Sequence, residues 1–183
     1  MTKGICCHDR RRALRLGVGI LAAGLAPGIR SAWAASPART LSFENLHTGE
    51  RLSETYWADG AYIPEALQRI DRVLRDHRTG ETHRIAPGLL DLLTRLRAAL
   101  ETEAPFQVIS GYRSPRTNAM LASLGRGVAR QSLHTKGLAI DIRVPGRRLT
   151  AVRDAAIALR GGGVGYYERS QFVHLDTGRI RTW

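Results

Sequence analysis

Two short segments hold the residues that could share a metal ion. "SLHTKGLAIDI" (Ser132–Ile142) places His134 and Asp141 seven residues apart, and "FVHLD" (Phe172–Asp176) adds His174 and Asp176. Two imidazoles and a carboxylate supply three donors and leave the fourth position of a tetrahedral ion open to water. That is the pattern of a catalytic zinc site and not of a closed structural one. Spacing alone leaves a plainer reading standing, since a histidine beside a strand is often a hydrogen-bonded structural residue. The question turns on whether the two segments are strands that pair.

Both segments have the alternation of strands. In "LAIDIRV", Leu138, Ile140, Ile142 and Val144 face one way, and Ala139, Asp141 and Arg143 the other. In "FVHLD", Phe172, His174 and Asp176 share one face while Val173 and Leu175 take the opposite one. Pairing the two strands brings Asp141 and His174 together, and His134, in the loop just before the first strand, folds over its start.

The rest of the chain must position these strands. "LSFENLHTGERLSETY" (Leu41–Tyr56) reads as a hairpin about the turn "HTGE". Ile63–His77 carries Leu67, Ile70, Val73 and Leu74 at helical spacing, and Ala86–Leu100 is a second amphipathic helix; each has a proline at its start. "FQVIS" (Phe106–Ser110) reads as a buried strand, and Ser114 caps a helix opened by Pro115. "GRGVARQS" is a basic loop, "LTAVRDAAIALR" a further long helix capped by Thr150, and the chain closes on two short strands. Helices come early and strands late without regular alternation. The predicted class is therefore α+β, with a mainly antiparallel sheet flanked by helices.

The first 34 residues form a different kind of segment. "DRRRALRL" precedes a short apolar run and the small-residue site "AWA", the parts of a secretory signal cleaved after Ala34. The arginine cluster resembles a twin-arginine signal, with an ordinary Sec signal as the alternative. Pro27 breaks the apolar run, which falls short of the roughly 20 residues that a bilayer-spanning helix needs. Both cysteines, Cys6 and Cys7, lie in this segment, so a metal site in residues 35–183 must use histidine and carboxylate. The chain's net charge is +12, and removing six Lys/Arg and one Asp with the signal leaves +7. That surface suits an anionic polymer, and export favours cell-wall material over nucleic acid. The expectation is one domain over residues 35–183, periplasmic and monomeric, without a membrane span.

"SGYRS", "SLHTKGLAIDI" and "GVGYYERSQFVHLDTGRIRTW" together resemble the motifs of the D-Ala-D-Ala carboxypeptidase and murein endopeptidase zinc peptidases, which share a fold with the hedgehog signalling domain. The resemblance covers roughly Leu41–Trp183 and is strongest to the small exported murein endopeptidase branch. It implies one zinc ion held by His134, Asp141 and His174. It also implies that Arg113 holds substrate or faces the developing oxyanion, a role worth about 3–4 kcal/mol for such groups. Ser132 is expected to buttress the His134 loop.

The general base is where this sequence departs from the family. Some relatives carry Glu three residues before the last ligand, where Gln171 stands here, and others carry His two before it, where this chain has Phe172. Asp176 and Glu168 remain as the candidate catalytic carboxylates, with Asp176 either a base or a support for His174. His47, His77 and His83 read as surface histidines. Tyr112, Tyr166 and Tyr167 read as packing residues or walls of a groove. Arg126, Arg130, Arg143 and Arg147 are candidates to meet anionic stem peptides. The implied activity is zinc-dependent hydrolysis of amide bonds in peptidoglycan, at cross-links in preference to terminal D-alanine. A non-catalytic zinc module that binds wall or protein is the rival, and a D,D-carboxypeptidase the variant.

Overall fold

The structure, a computed structural model, describes residues 37–124, 129 and 131–183. The expected export signal, its twin-arginine reading and the cleavage after Ala34 lie outside the described residues, as do Arg126 and Arg130.

The hairpin predicted about "HTGE" is present: β1 (Arg39–Asn45) and β2 (Arg51–Ala58) pair antiparallel, and β3 (Ala61–Tyr62) extends the edge. Helices α1 (Pro64–Val73) and α2 (Pro87–Ala99) follow, each starting on a proline whose missing N–H costs nothing in a first turn. Next come β4 (Phe106–Ser110), α3 (Pro115–Ser123), a 3-10 turn over Leu133–Lys136, and β5 (Ala139–Arg143). Then α4 (Leu149–Ala158) leads into β6 (Gly163–Tyr167), β7 (Phe172–Asp176) and β8 (Arg181–Thr182).

Among the described residues these strands form one sheet in the order β3-β2-β1-β4-β5-β7-β6-β8. Its pairings are antiparallel except β1–β4 and β6–β8, in agreement with the predicted class. One face is apolar. Leu41, Phe43, Phe106, Val108, Ile140, Ile142, Val173 and Leu175 are buried there in a single core with Ile70, Leu89, Leu93 and Val152 from the helices. The opposite face carries Asp141, His174 and Asp176. The strand alternation therefore anchors the polar residues through the apolar ones beside them.

Two boundaries differ from the sequence reading. The first helix ends at Val73 and not at His77, because the buried carboxylate of Asp76 draws the chain into a turn. It accepts from the N–H of Arg78 and, across the fold, from the N–H of Ser114, each at 2.9 Å. Burial opposes ionisation of Asp76, but bonds from Thr117, Ser114 and Arg78 outweigh it and hold its pKa at about 2. Thr150 lies inside α4, whose cap position is Arg148 and makes no side-chain capping bond. The Ser114 cap is as expected, its hydroxyl accepting from the N–H of Thr117 at 3.2 Å. No helix of the described residues is long and apolar enough to cross a membrane.

Candidate metal centre and cleft

Register decides the site. β5 and β7 pair with Asp141 directly opposite His174, so the two side chains rise from the same face as neighbours. His134 comes from the 3-10 turn that precedes β5, where the hydroxyl of Ser132 accepts from the His134 N–H at 3.3 Å. A register shift at the end of β4 sets Ser110 opposite Asp141. The Ser110 hydroxyl accepts from Arg113, whose Nη2 lies 3.7 Å from the second oxygen of Asp141.

The three donor atoms converge. Asp141 Oδ1 lies 2.8 Å from His174 Nδ1 and 3.3 Å from His134 Nε2, and the two nitrogens are 3.2 Å apart. Donors on a tetrahedral ion with bonds of about 2.0–2.1 Å are about 3.3 Å from one another, so the triangle is of the right size.

Hydrogen bonds on the far sides of the rings fix which nitrogens point inward. His134 Nδ1 donates to the Gly111 carbonyl at 2.7 Å, which leaves a lone pair on Nε2 when the ring is neutral. His174 Nε2 donates to Asp176 Oδ2 at 3.0 Å, which leaves a lone pair on Nδ1. Two imidazole lone pairs and a carboxylate oxygen then face one another in a buried spot, an arrangement that repels itself unless a cation or a proton sits between them. The donor set fits a divalent metal, and these are the described residues whose ligand atoms are close enough to hold one.

Without an ion, the proton takes that place. Burial pushes the His174 pKa down, but Asp141 and Asp176 on either side of the ring overcome it and raise the value to about 8. Burial likewise opposes ionisation of Asp141, and the two histidines overcome it, holding the carboxyl well below the usual range.

Asp176 lies at the Nε2 side of the His174 ring, and the donor triangle at its Nδ1 side. It is fully buried behind His174, and both oxygens are taken. Oδ2 accepts from His174 and from Arg181 Nη2 at 2.7 Å. Oδ1 accepts from Arg181 Nη1 at 3.1 Å and from the N–H groups of Gly163 at 3.0 Å and Gly178 at 2.8 Å. These donors outweigh the cost of burial and depress its pKa strongly. Glu168 is exposed on the turn between β6 and β7 and is not among the residues that line the cleft over the cluster. Gln171 closes that turn, its amide donating to the Glu168 carbonyl.

A cleft of about 470 Å³ opens over the cluster, walled by Arg113, Ser132, Tyr167, Phe172, Arg181 and Trp183. Of the tyrosines, Tyr112 stacks on His83 at 4.8 Å, Tyr166 packs against the core and Tyr167 lines the cleft. His47 and His77 stack on each other at 3.8 Å outside the cluster, with His77 half-buried and its pKa lowered to about 4 by burial and then by His47. Arg147 donates to the carbonyls of Leu100 and Glu101, tying down the end of α2, and neither it nor Arg143 lines the cleft.

Sequence reasoning passed over Arg181, Trp183 and the two glycines that make room for them. A Cβ on Gly163 would lie 2.5 Å from both Asp176 Oδ2 and Arg181 Nη1, and one on Gly165 would lie 2.7 Å from the Trp183 indole. Alternate glycines in a strand are the available signal, since they mark a face approached closely by something else.

The family model described as peptidoglycan L,D-endopeptidase MepK matches residues 33–183. Peptidoglycan L,D-endopeptidase MepK of Escherichia coli K12 is 45% identical over 176 residues, covering 96% of this chain and 97% of that one. The protein of the same name from Shigella flexneri aligns with the same figures. The probable peptidoglycan L,D-endopeptidase MepK of Haemophilus influenzae is 41% identical over 178 residues, 96% of each chain. This agrees with the branch to which the terminal motifs pointed: the chain belongs to the MepK family of murein endopeptidases.

Proposed function

We propose that this protein is an exported, zinc-dependent peptidase that hydrolyses L,D amide bonds in peptidoglycan cross-links. The observation that carries the reading is the convergence of His134 Nε2, Asp141 Oδ1 and His174 Nδ1, with both imidazole tautomers fixed from behind, at the floor of an open cleft. The relatives' names supply the bond type. A zinc ion bound there supplies Lewis acidity towards the scissile carbonyl and lowers the pKa of water towards about 7.

The chain's own residues do the rest. His134, Asp141 and His174 hold the ion. Arg113, nearly buried and 3.7 Å from Asp141, keeps its charge at the edge of the cluster, where the carbonyl oxygen becomes negative. Asp176 orients the His174 ring and fixes its tautomer, so its role is positioning and not proton abstraction. Ser132 holds the turn that carries His134. Glu168 has no part in this scheme.

The periplasm is the compartment that fits such a substrate, and the N-terminal segment is the means of reaching it, by the twin-arginine route. A monomer is the working form adopted in this reading, with His134, Asp141 and His174 all supplied by one chain. Incubation with defined cross-linked muropeptides, with and without chelator, tests the reading through product masses. Cleavage at the L,D bond that stops with chelator is expected. Absence of any chelator-sensitive product would favour a non-catalytic zinc module instead.

A further inference from the structure

We propose that Arg181, set on the indole of Trp183, is a carboxylate-binding subsite. It takes a carboxylate on the substrate carbon that bears the scissile nitrogen. The inference rests on the peptidase reading of the cleft and adds to it a determinant of which amides are accepted.

A guanidinium has five N–H donors, arranged as an end-on fork, a side-on fork and one outer hydrogen. Arg181 spends its end-on fork on Asp176, through Nη1 at 3.1 Å and Nη2 at 2.7 Å, and its outer Nη1 hydrogen on the Arg179 carbonyl at 3.0 Å. The side-on fork, made of Nε and the second Nη2 hydrogen, has no partner among the described residues, and the side chain lines the cleft. A carboxylate fits that fork with two parallel bonds.

The fork is also held in place. Asp176 is fully buried and anchored by two backbone N–H groups, so the ion pair cannot swing away as a surface pair does. The Trp183 ring lies 4.8 Å from the guanidinium carbon, and its Nε1 donates to the Tyr167 hydroxyl at 2.8 Å. Gly163 and Gly165, on one face of β6, leave the space that both side chains occupy. A guanidinium fixed in this way loses little freedom on binding.

Position and charge suit the ligand. Arg181 is separated from the His174 ring only by the Asp176 oxygen that bridges them, so it borders the metal cluster on the His174 side, while Arg113 borders it on the Asp141 side. Two guanidiniums and a divalent ion against Asp141 and Asp176 leave the site net positive. In an L,D bond the leaving nitrogen sits on a D-configured carbon. A carboxylate on that carbon lies next to the reacting atoms, within reach of a guanidinium at the cluster's border. A plain counter-ion to Asp176 would have no use for an open fork, and the two roles separate experimentally.

The test compares two cross-linked muropeptides that differ only in whether this carboxylate is free or amidated, using metal-loaded wild-type protein and Arg181→Lys. Lysine keeps a charge beside Asp176 but offers no fork. Amidation is expected to raise the wild-type KM about tenfold or more. Arg181→Lys also gives up a bond to Asp176 and can slow both peptides, so the subsite is scored by the ratio: the preference for the free over the amidated carboxylate is expected to fall about tenfold, towards one. Calorimetric binding of the product peptide bearing the free or amidated carboxylate scores the subsite even if no peptide is cut, with about tenfold weaker binding expected for the amide. Equal KM and equal affinity of wild type for free and amidated ligands would overturn the proposal. So would an Arg181→Lys loss that is the same for both. Absence of cleavage with the binding preference intact would instead count against the peptidase reading.

Discussion

His174 and Asp176 stand two residues apart on one face of β7, and the histidine Nε2 donates to the aspartate Oδ2 at 3.0 Å. That bond turns the ring so that Nδ1, and not Nε2, meets Asp141 and His134. The carboxylate that the sequence offers as a base or as a support for His174 is in this way bonded to the ring, and four other hydrogen bonds hold it there.

Amide substitutions at the two candidate carboxylates should therefore diverge. Asp176→Asn leaves His174 Nε2 and Arg181 without their anion, and metal affinity should fall about 10- to 100-fold, the usual cost of losing such a partner. Competition with a chromogenic chelator measures it. Glu168→Gln changes an exposed turn residue and should leave both metal affinity and kcat/KM within about twofold, as expected for surface substitutions.

The raised pKa of His174 sets a pH dependence for the metal-free protein. A folded-state value of about 8 exceeds the unfolded 6.5, so protonated His174 contributes stability that is fully present below pH 6.5 and is lost as pH rises through about 8. The melting temperature of chelator-treated protein should fall between about pH 6 and about pH 9. Metal-loaded protein should not show this loss, because metal and proton compete for Nδ1 and metal binding strengthens over the same interval. Scanning calorimetry with and without chelator distinguishes the two profiles.

Much of the site was legible because strand alternation is a strong constraint. The apolar residues Ile140, Ile142, Val173 and Leu175 fix which way Asp141 and His174 point, and pairing does the rest. The roles around the ligands were not legible. Whether Asp176 faces the metal or backs the ring depends on a side-chain rotamer and on donors from Gly163, Gly178 and Arg181, which no periodicity encodes. The early end of α1 was hidden for a similar reason, since its turn is drawn by Asp76 bonding to Ser114, 38 residues along the chain. Arg143 and Arg147 appeared close to the site in sequence, but Arg147 is spent on capping α2.

The two glycines of β6 should respond differently to alanine. Gly163→Ala drives a methyl against the buried Asp176 carboxylate and its Arg181 partner and should destabilise the fold by about 1–3 kcal/mol, the usual cost of overpacking. At Gly165 the obstacle is the half-exposed indole of Trp183, which a methyl would push away from Arg181 and the Tyr167 hydroxyl. Gly165→Ala should then change denaturant stability by less than about 1 kcal/mol while altering kcat/KM, because the cleft wall moves and the core does not. Urea unfolding and muropeptide kinetics on both variants check the contrast.

Arg147→Ala should be a stability variant without a catalytic phenotype. It removes two bonds to the carbonyls at the end of α2, at 2.9 and 2.6 Å, and should cost about 1 kcal/mol given their partial exposure. The kcat/KM of the folded variant should match that of wild type.

Under the proposed function, one metal ion held by His134, Asp141 and His174 makes this cleft a peptidase. The most direct measurement is to strip the protein, add zinc back in known amounts, and follow cleavage of an L,D cross-linked muropeptide at each point. Activity should rise linearly and level off at one ion per chain, and the His174→Ala variant should neither bind the ion tightly nor cleave. Cleavage that persists in stripped protein, or in His174→Ala at the wild-type rate, would contradict the account.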